Sequence, residues 1–153
     1  MKKAQAALEF LTTYGWAFLV ILIMIGALAY FGVLNPKGLL PGRCTFGPEV
    51  DCLEYDIDSG TGVVRFRFRN NVGATSDFNF TNMTYLGGTN PSVDCLNYIN
   101  VQPGRTTEVT CMPFAPGVLP TGDKVKFDIT GYYKRADGNY WTPVKGEIFG
   151  EAK

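Results

Sequence analysis

The chain begins with a long apolar segment. After Glu9 the next charged residue is Lys37, and residues 17–34 read AFLVILIMIGALAYFGVL, in which every position is apolar or glycine. A helix that is apolar on all faces must be buried in lipid or in a protein core. Residues 5–34 would measure about 45 Å as a helix, more than the ~30 Å of a bilayer's hydrocarbon. The pattern therefore predicts one long helix that ends at Asn35-Pro36, because proline lacks the amide donor and disfavours helix in the residue before it.

The pattern then changes to alternation. Residues 35–43, NPKGLLPGR, contain two prolines and two glycines and are predicted to be a linker. Apolar and polar residues alternate at 64–69, at 78–80 and at 124–129, and this period is typical of half-buried antiparallel strands. Asp137-Gly138 lies between GYYKR and NYWTPV and predicts a hairpin.

These patterns define the expected architecture. Six or more short strands within residues 44–153, with no amphipathic helix after residue 40, predict an immunoglobulin-like β-sandwich. The fold class is therefore α+β, with a long hydrophobic N-terminal helix followed by an all-β domain. Neither internal repeats nor low-complexity tracts interrupt it.

The composition makes several classes of function less favoured. The 153 residues include 14 basic and 14 acidic residues and no histidine. A balanced charge argues against nucleic acid as a partner. The absence of histidine removes the usual general base and the commonest metal ligand. We expect no cofactor and no metal site, and an enzyme that works through carboxylates is the least favoured hypothesis.

The cysteines are Cys44, Cys52, Cys95 and Cys111. All four follow the apolar helix, and Lys2 and Lys3 before it favour a cytoplasmic N-terminus, which places the cysteines outside the cell. An even number of cysteines in an oxidising location indicates two disulfides. Three pairings are possible by count, and proximity in sequence favours Cys44–Cys52 with Cys95–Cys111. A metal site is the alternative, which the lack of histidine and of a C-x-x-C motif disfavours.

Two sequons, Asn79-Phe80-Thr81 and Asn82-Met83-Thr84, are candidate N-glycosylation sites. If Phe80 points inward, Asn79 points outward on the same strand, which favours a glycan there. Short sequons also arise by chance.

Other polar clusters favour simpler interpretations. Asp56-x-Asp58-x-Gly60 lacks the remaining features of a calcium loop, and an acid/base pair of Asp51 with Asp56 would require a pocket. We interpret the acidic run as a turn with solvated carboxylates, and the arginines of residues 64–69 as a solvated strand face. The run comprises Glu49, Asp51, Glu54, Asp56 and Asp58, and the arginines are Arg65, Arg67 and Arg69.

Aromatic residues flank the predicted hairpin at Tyr132, Tyr133, Tyr140 and Trp141. They form either a contact patch or part of the core. Alternation must place neighbouring residues on opposite faces.

The N-terminus, KKAQAALEFLTTYGWA, resembles that of archaeal type IV pilins with a class III signal peptide. The shared features are a short basic leader, a small residue, glutamine, a glutamate five positions from the cut, and then an apolar helix. The resemblance covers about one fifth of the chain. It implies that a prepilin peptidase cuts between Ala4 and Gln5, so that residues 1–4 are a leader and Glu9 becomes the fifth mature residue. It also favours pairing of Glu9 with the new amine of Gln5 on a neighbouring subunit; pairing within the chain, or an interfacial Glu9 without a partner, are the alternatives.

The resemblance implies a structural subunit of an extracellular filament that serves adhesion. Its partners would be identical subunits, the peptidase and the assembly machinery in the membrane. The precursor would lie in the cell membrane with its N-terminus in the cytoplasm, as Lys2 and Lys3 favour. One alternative is a membrane-anchored extracellular binding domain that does not polymerise. Another is a secretory signal peptide cut after Ala27-Leu28-Ala29.

Overall fold

The computed structural model describes residues 2–32, 40–87 and 89–153, and the chain divides into two compact units, Met1–Leu40 and Pro41–Lys153. The first unit contains helix α1, Lys2–Tyr30. The second contains eight β-strands. The sequence therefore predicted the coarse architecture correctly, as an apolar helix followed by antiparallel sheets. In residues 40–87 and 89–153 no helix is present.

Helix α1 ends earlier than the apolar run predicts. It stops at Tyr30 rather than at Leu34. The Phe31 amide donates to the Ala27 carbonyl at 2.9 Å, and the Gly32 amide donates to the Ala29 carbonyl at 3.1 Å. Gly32 has φ 70°, which a glycine adopts without the steric cost of a Cβ and which commonly ends a helix. Most of the predicted linker, residues 35–39, lies outside the described residues.

The strands form two antiparallel sheets. The five-stranded sheet has the order β1-β8-β7-β4-β5, and the three-stranded sheet has the order β2-β3-β6. The strand bounds are β1 Arg43–Phe46, β2 Val50–Ile57, β3 Val64–Asn70, β4 Ser76–Tyr85, β5 Ser92–Val101, β6 Thr106–Thr110, β7 Lys124–Arg135 and β8 Thr142–Glu151. Strands β7 and β8 pair from Lys124–Glu151 to Tyr133–Thr142, so the hairpin predicted at Asp137-Gly138 is confirmed.

The core lies between the two sheets and is rich in phenylalanine. Strict alternation along β3 buries Val64, Phe66 and Phe68 on one face. Phe80 of β4 is 1 % exposed, and its ring centroid lies 5.1 Å from that of Phe66 and 5.2 Å from that of Phe68. Since β3 and β4 belong to different sheets, these edge-to-face contacts join the sheets through Phe80.

Both disulfides connect one sheet to the other. Cys44 of β1 bonds Cys52 of β2, and Cys95 of β5 bonds Cys111, which directly follows β6. Strands β1 and β5 are the two edges of the larger sheet, and β2 and β6 are the two edges of the smaller one. Each open side of the domain is therefore closed by one covalent link, in the pairing that sequence proximity favours.

A buried polar residue makes a third connection between the sheets. Asn70, at the end of β3, is 1 % exposed. Its amide donates to the carbonyls of Ala74 and Val101, each at 2.8 Å, and its Oδ1 accepts from the Val72 amide at 2.9 Å. Because the amide nitrogen and the amide oxygen of this buried side chain both have hydrogen-bond partners, its burial costs little.

The interpretation of the acidic run as a turn is wrong for most of its length. Residues 51–56 belong to β2, and their carboxylates lie across from the arginines of β3. The Glu54–Arg67 ion pair measures 2.7 Å, and the looser pairs Asp51–Arg69 and Asp56–Arg65 measure 3.8 and 4.0 Å. The arginine face is exposed, as predicted, but each arginine lies beside a carboxylate. Glu49, in the turn before β2, and Asp58, at the turn after it, do fit the prediction; Asp58 Oδ1 accepts from the amides of Gly60 and Thr61.

Candidate assembly surface and outer sheet face

The first turns of α1 place a polar group among apolar ones. Glu9, Thr12, Thr13 and Trp16 are spaced as i, i+3, i+4 and i+7, so they share one side of the helix. The Thr13 hydroxyl donates to the Glu9 carbonyl at 2.7 Å, and the Thr12 hydroxyl donates to the Leu8 and Glu9 carbonyls, each at 3.0 Å. The hydroxyls are thus satisfied within the helix. Among the side chains that the structure describes, none forms a hydrogen bond or ion pair with the Glu9 carboxylate.

The rest of the helix presents an apolar surface. Phe10, Trp16 and Phe18 are each 64–68 % exposed. Beyond its chain neighbours and the adjacent helix backbone, no described atom lies within 4 Å of where a side chain at Gly15 would begin. A notch of about 430 Å³ lies around Gly15 and is bordered by Phe10, Tyr14, Ala17, Phe18 and Ile21. Gly26 is equally open. It lies eleven residues beyond Gly15, or about three turns and 16.5 Å on the same side. Small residues at such spacing permit close approach of a second helix.

The segment Thr12–Tyr30 is long and apolar enough to cross a membrane. Its 19 residues measure about 28 Å as a helix, close to the ~30 Å of bilayer hydrocarbon. By length and composition this agrees with the predicted transmembrane helix, although a signal sequence would meet the same criteria. Glu9 precedes the segment by about one helical turn.

The predicted processing site lies on the same helix. Ala4 and Gln5 belong to α1, and their side chains lie outside the described residues. Their backbone is helical, continuous with that of Glu9 one turn further on.

The second candidate region is the outer face of the five-stranded sheet, which carries both sequons. Asn79 and Asn82 lie on β4, separated by a bulge between Phe80 and Asn82. Their neighbours differ. Asn79 lies across from Tyr98 of β5 and Tyr132 of β7, whereas Asn82 lies across from Asp94 and Thr130.

A hydrogen-bonded group fixes one part of this face. The Asn100 amide donates to Asp77 Oδ1 at 2.6 Å, and the Tyr98 hydroxyl donates to Asp77 Oδ2 at 2.8 Å. These two donors, the Asn100 amide first, hold the pKa of the Asp77 carboxyl below its usual value. The same bond to Asp77 raises the pKa of Tyr98. Asp77 is therefore ionised at neutral pH, and its acceptor role keeps Tyr98 in place.

Trp141 lies above this group. Its ring centroid is 6.0 Å from that of Tyr98, edge to face, and 5.5 Å from Lys134 Nζ. A cleft of about 350 Å³ is lined by Asn79, Thr81, Tyr132 and Trp141. Two residues of the first sequon and two exposed aromatic residues therefore share one concavity.

The aromatic residues near the hairpin divide between surface and core. Tyr133 packs on Phe78 with ring centroids 6.0 Å apart, whereas Tyr132 and Trp141 are 46 % and 42 % exposed. Tyr140, which is 87 % exposed, does not line the cleft. The alternation along β7 explains the opposite directions of Tyr132 and Tyr133.

Sequence reasoning missed Asp77, Tyr98 and Asn100. The alternation of β4 indicates that Asp77 and Asn79 share a face opposite Phe78, and the spacing of Tyr98 and Asn100 indicates a common face on β5. What the sequence does not contain is the register that brings Asp77 opposite Asn100.

A metal centre receives no support within residues 2–32, 40–87 and 89–153, where no group of three acidic, cysteine or histidine side chains is placed to hold an ion. All four cysteines are used in disulfides.

Comparisons with known proteins add little. No protein-family model and no curated protein matches the chain. Among solved structures, a protein from Bordetella pertussis given the name ApaA is similar at 16 % identity with a TM-score of 0.40, covering 71 % of this chain and 94 % of that one.

Proposed function

We propose that this chain is a prepilin, the precursor of a structural subunit of an extracellular type IV pilus-like filament of the archaeal kind. A prepilin peptidase cuts between Ala4 and Gln5, the helix joins the core of a homopolymer, and the outer domain, an immunoglobulin-like sandwich, forms the exterior. The filament serves adhesion to surfaces. The observation that carries the proposal is the helix itself, with Glu9 about one turn before an apolar segment of membrane-spanning length.

The physical argument concerns Glu9. A carboxylate in an apolar setting is costly unless it is paired. Cleavage creates an amine at Gln5, four residues before Glu9, and removes Lys2 and Lys3. That amine can neutralise Glu9 of a neighbouring subunit, while the loss of the two lysines releases the helix from the cytoplasmic side. The open surface at Gly15 and Gly26 supplies the close approach that helix packing requires.

The decisive measurement of processing is N-terminal mass spectrometry of the protein recovered from cells. We expect the mature chain to begin at Gln5. A chain that begins at Tyr30 would establish a secretory signal peptide, and an intact leader would overturn processing.

Assembly is tested by imaging filaments sheared from the cell surface. We expect Glu9→Ala and the uncharged isostere Glu9→Gln to be cleaved normally but to reduce filament yield at least about tenfold, as expected if ~1.4 kcal/mol or more is lost per subunit contact. Glu151→Ala, which removes the same charge from the exposed end of β8, is the matched control. Normal filament yield with Glu9→Ala would refute the pairing.

A second function is favoured by the length of Thr12–Tyr30, which matches one bilayer crossing. In that case the chain is a membrane-anchored extracellular binding domain that does not polymerise. Surface-exposed protein with an intact leader and no filament would establish it.

A further inference from the structure

We infer that Asn79 rather than Asn82 is the glycan acceptor of this domain, and that the first sugar attached to Asn79 packs into the cleft beside it. The inference rests on the extracellular placement of the domain in the proposed function. It does not require that the chain polymerise.

The first observation concerns the residues that surround Asn79, the acceptor. Asn79 and the sequon threonine, Thr81, both line the cleft together with Tyr132 and Trp141. A pyranose ring has an apolar C–H face, and aromatic rings supply large, rigid apolar surface for such a face. The first sugar on Asn79 therefore has two aromatic walls beside its point of attachment.

The second observation is that Trp141 is held in place by other residues of the domain without a sugar bound. The Trp141 ring contacts both the Tyr98 ring and Lys134 Nζ. Tyr98 is in turn fixed by its 2.8 Å hydrogen bond to Asp77. A preorganised surface loses little conformational entropy when a sugar packs on it.

The third observation separates the two sequons. Asn82 lies across from Asp94 and Thr130, neither of which offers an aromatic surface. A glycan on Asn82 would therefore lack the aromatic surfaces that lie beside Asn79.

The attachment step is a group transfer. The bond between Asn79 Nδ2 and the sugar's C1 forms while the C1–O bond to the phosphate of an activated sugar-phosphate donor breaks. Nδ2 loses one proton, and the phosphate departs with the bonding electron pair. The domain supplies the acceptor, and an enzyme of the membrane supplies the transfer.

The first test maps glycopeptides by mass spectrometry on full-length protein from the producing cells. We expect a glycan on the peptide that contains Asn79, its loss in Asn79→Gln and its retention in Asn82→Gln. An unmodified Asn79, or a glycan on Asn82 alone, overturns the inference. Protease accessibility on intact cells and filament imaging are recorded in parallel, so that wrong placement of the domain is told apart from an unmodified Asn79 on a correctly placed one.

The second test measures the cleft. In glycosylated protein, Trp141→Ala is expected to lower the domain's Tm by about 3–6 °C more than it does in the Asn79→Gln background, where only the contacts of Trp141 with Tyr98 and Lys134 are lost. Tyr140→Ala, one residue away but outside the cleft, is the matched control. If Trp141→Ala lowers Tm equally in both backgrounds, Trp141 has only a structural role, and the inference that a sugar packs on it is overturned.

Discussion

The buried disulfide that closes the β5–β6 side is expected to be the larger covalent contribution to stability. Cys95 and Cys111 are 0 % and 1 % exposed and enclose a loop with a sequence separation of 16. The chain-entropy relation gives about 3 kcal/mol for such a loop, and about 2.5 kcal/mol for the separation of 8 between Cys44 and Cys52. Removing two buried sulfur atoms adds about 1–2 kcal/mol as a cavity.

The perturbation is Cys95→Ala with Cys111→Ala, compared with the matched pair Cys44→Ala with Cys52→Ala at the half-buried bond. We expect losses of about 4–5 and about 2.5 kcal/mol, respectively. For a domain of this size these correspond to falls in Tm of about 16–20 °C and about 10 °C. Differential scanning calorimetry of the full chain in detergent micelles gives Tm. Guanidinium unfolding followed by Trp141 fluorescence, with Trp16→Phe introduced in every variant, gives the free energy of unfolding.

The reasoning would be refuted if the β5–β6 variant lost less stability than the β1–β2 variant. If the former does not fold, graded reduction of the wild-type chain with mass-spectrometric identification of the freed thiols gives the same comparison. The half-buried Cys44–Cys52 bond should then be reduced first, and domain melting should follow reduction of the buried Cys95–Cys111 bond.

Three further predictions concern the same domain. Phe80→Ala should cost about 3–5 kcal/mol in guanidinium unfolding because the Phe80 ring joins the sheets, whereas Phe10→Ala on the exposed helix surface should leave the β domain's unfolding unchanged. Asn70→Ala should cost about 2–4 kcal/mol, since it removes three hydrogen bonds of a buried side chain, and hydrogen exchange should rise at Val72; unchanged exchange there would contradict the role of Asn70. Glu147 binds Lys126 at 2.7 Å and Arg43 at 2.6 Å, with Lys126 the larger cause of its lowered pKa. A carboxyl with a lowered folded-state pKa stabilises above its unfolded pKa and ceases to do so as pH falls through the folded value. The difference between wild type and Glu147→Gln, ~1 kcal/mol or less at pH 7 because the cations are exposed, should therefore shrink as pH falls through the range in which Glu147 is protonated; a constant difference would contradict it.

The sequence correctly predicted the strands in which apolar and polar residues alternate without interruption. Strand β3 alternates without interruption, and its predicted inward residues are the buried ones. Strand β2 was missed because a bulge between Cys52 and Glu54 breaks the alternation and because acidic residues are depleted in strands. The end of the helix was misplaced because Gly32, rather than Pro36, ends it in the structure.

The candidate sites divide in the same way. Features whose residues are close together in the sequence, such as the sequons, Glu9 and the cysteine pairs, can be recognised from the sequence alone. The carboxylates that lie beside the β3 arginines, and the Asp77 group below Trp141, depend on which strands are neighbours and in what register. Local patterns do not contain that information, because a register shift of one residue reverses every side chain.

The position of Cys44 also determines how the domain responds to mechanical tension. A pull from the N-terminal side enters strand β1 at Arg43 and reaches Cys44 one residue later. There the Cys44–Cys52 bond diverts the force to β2, in the other sheet. Residues 45–51, about 24 Å of contour, cannot extend while that bond is intact. In oxidising surroundings the strand nearest the tether therefore does not peel from its sheet, and only reduction makes this length of chain extensible.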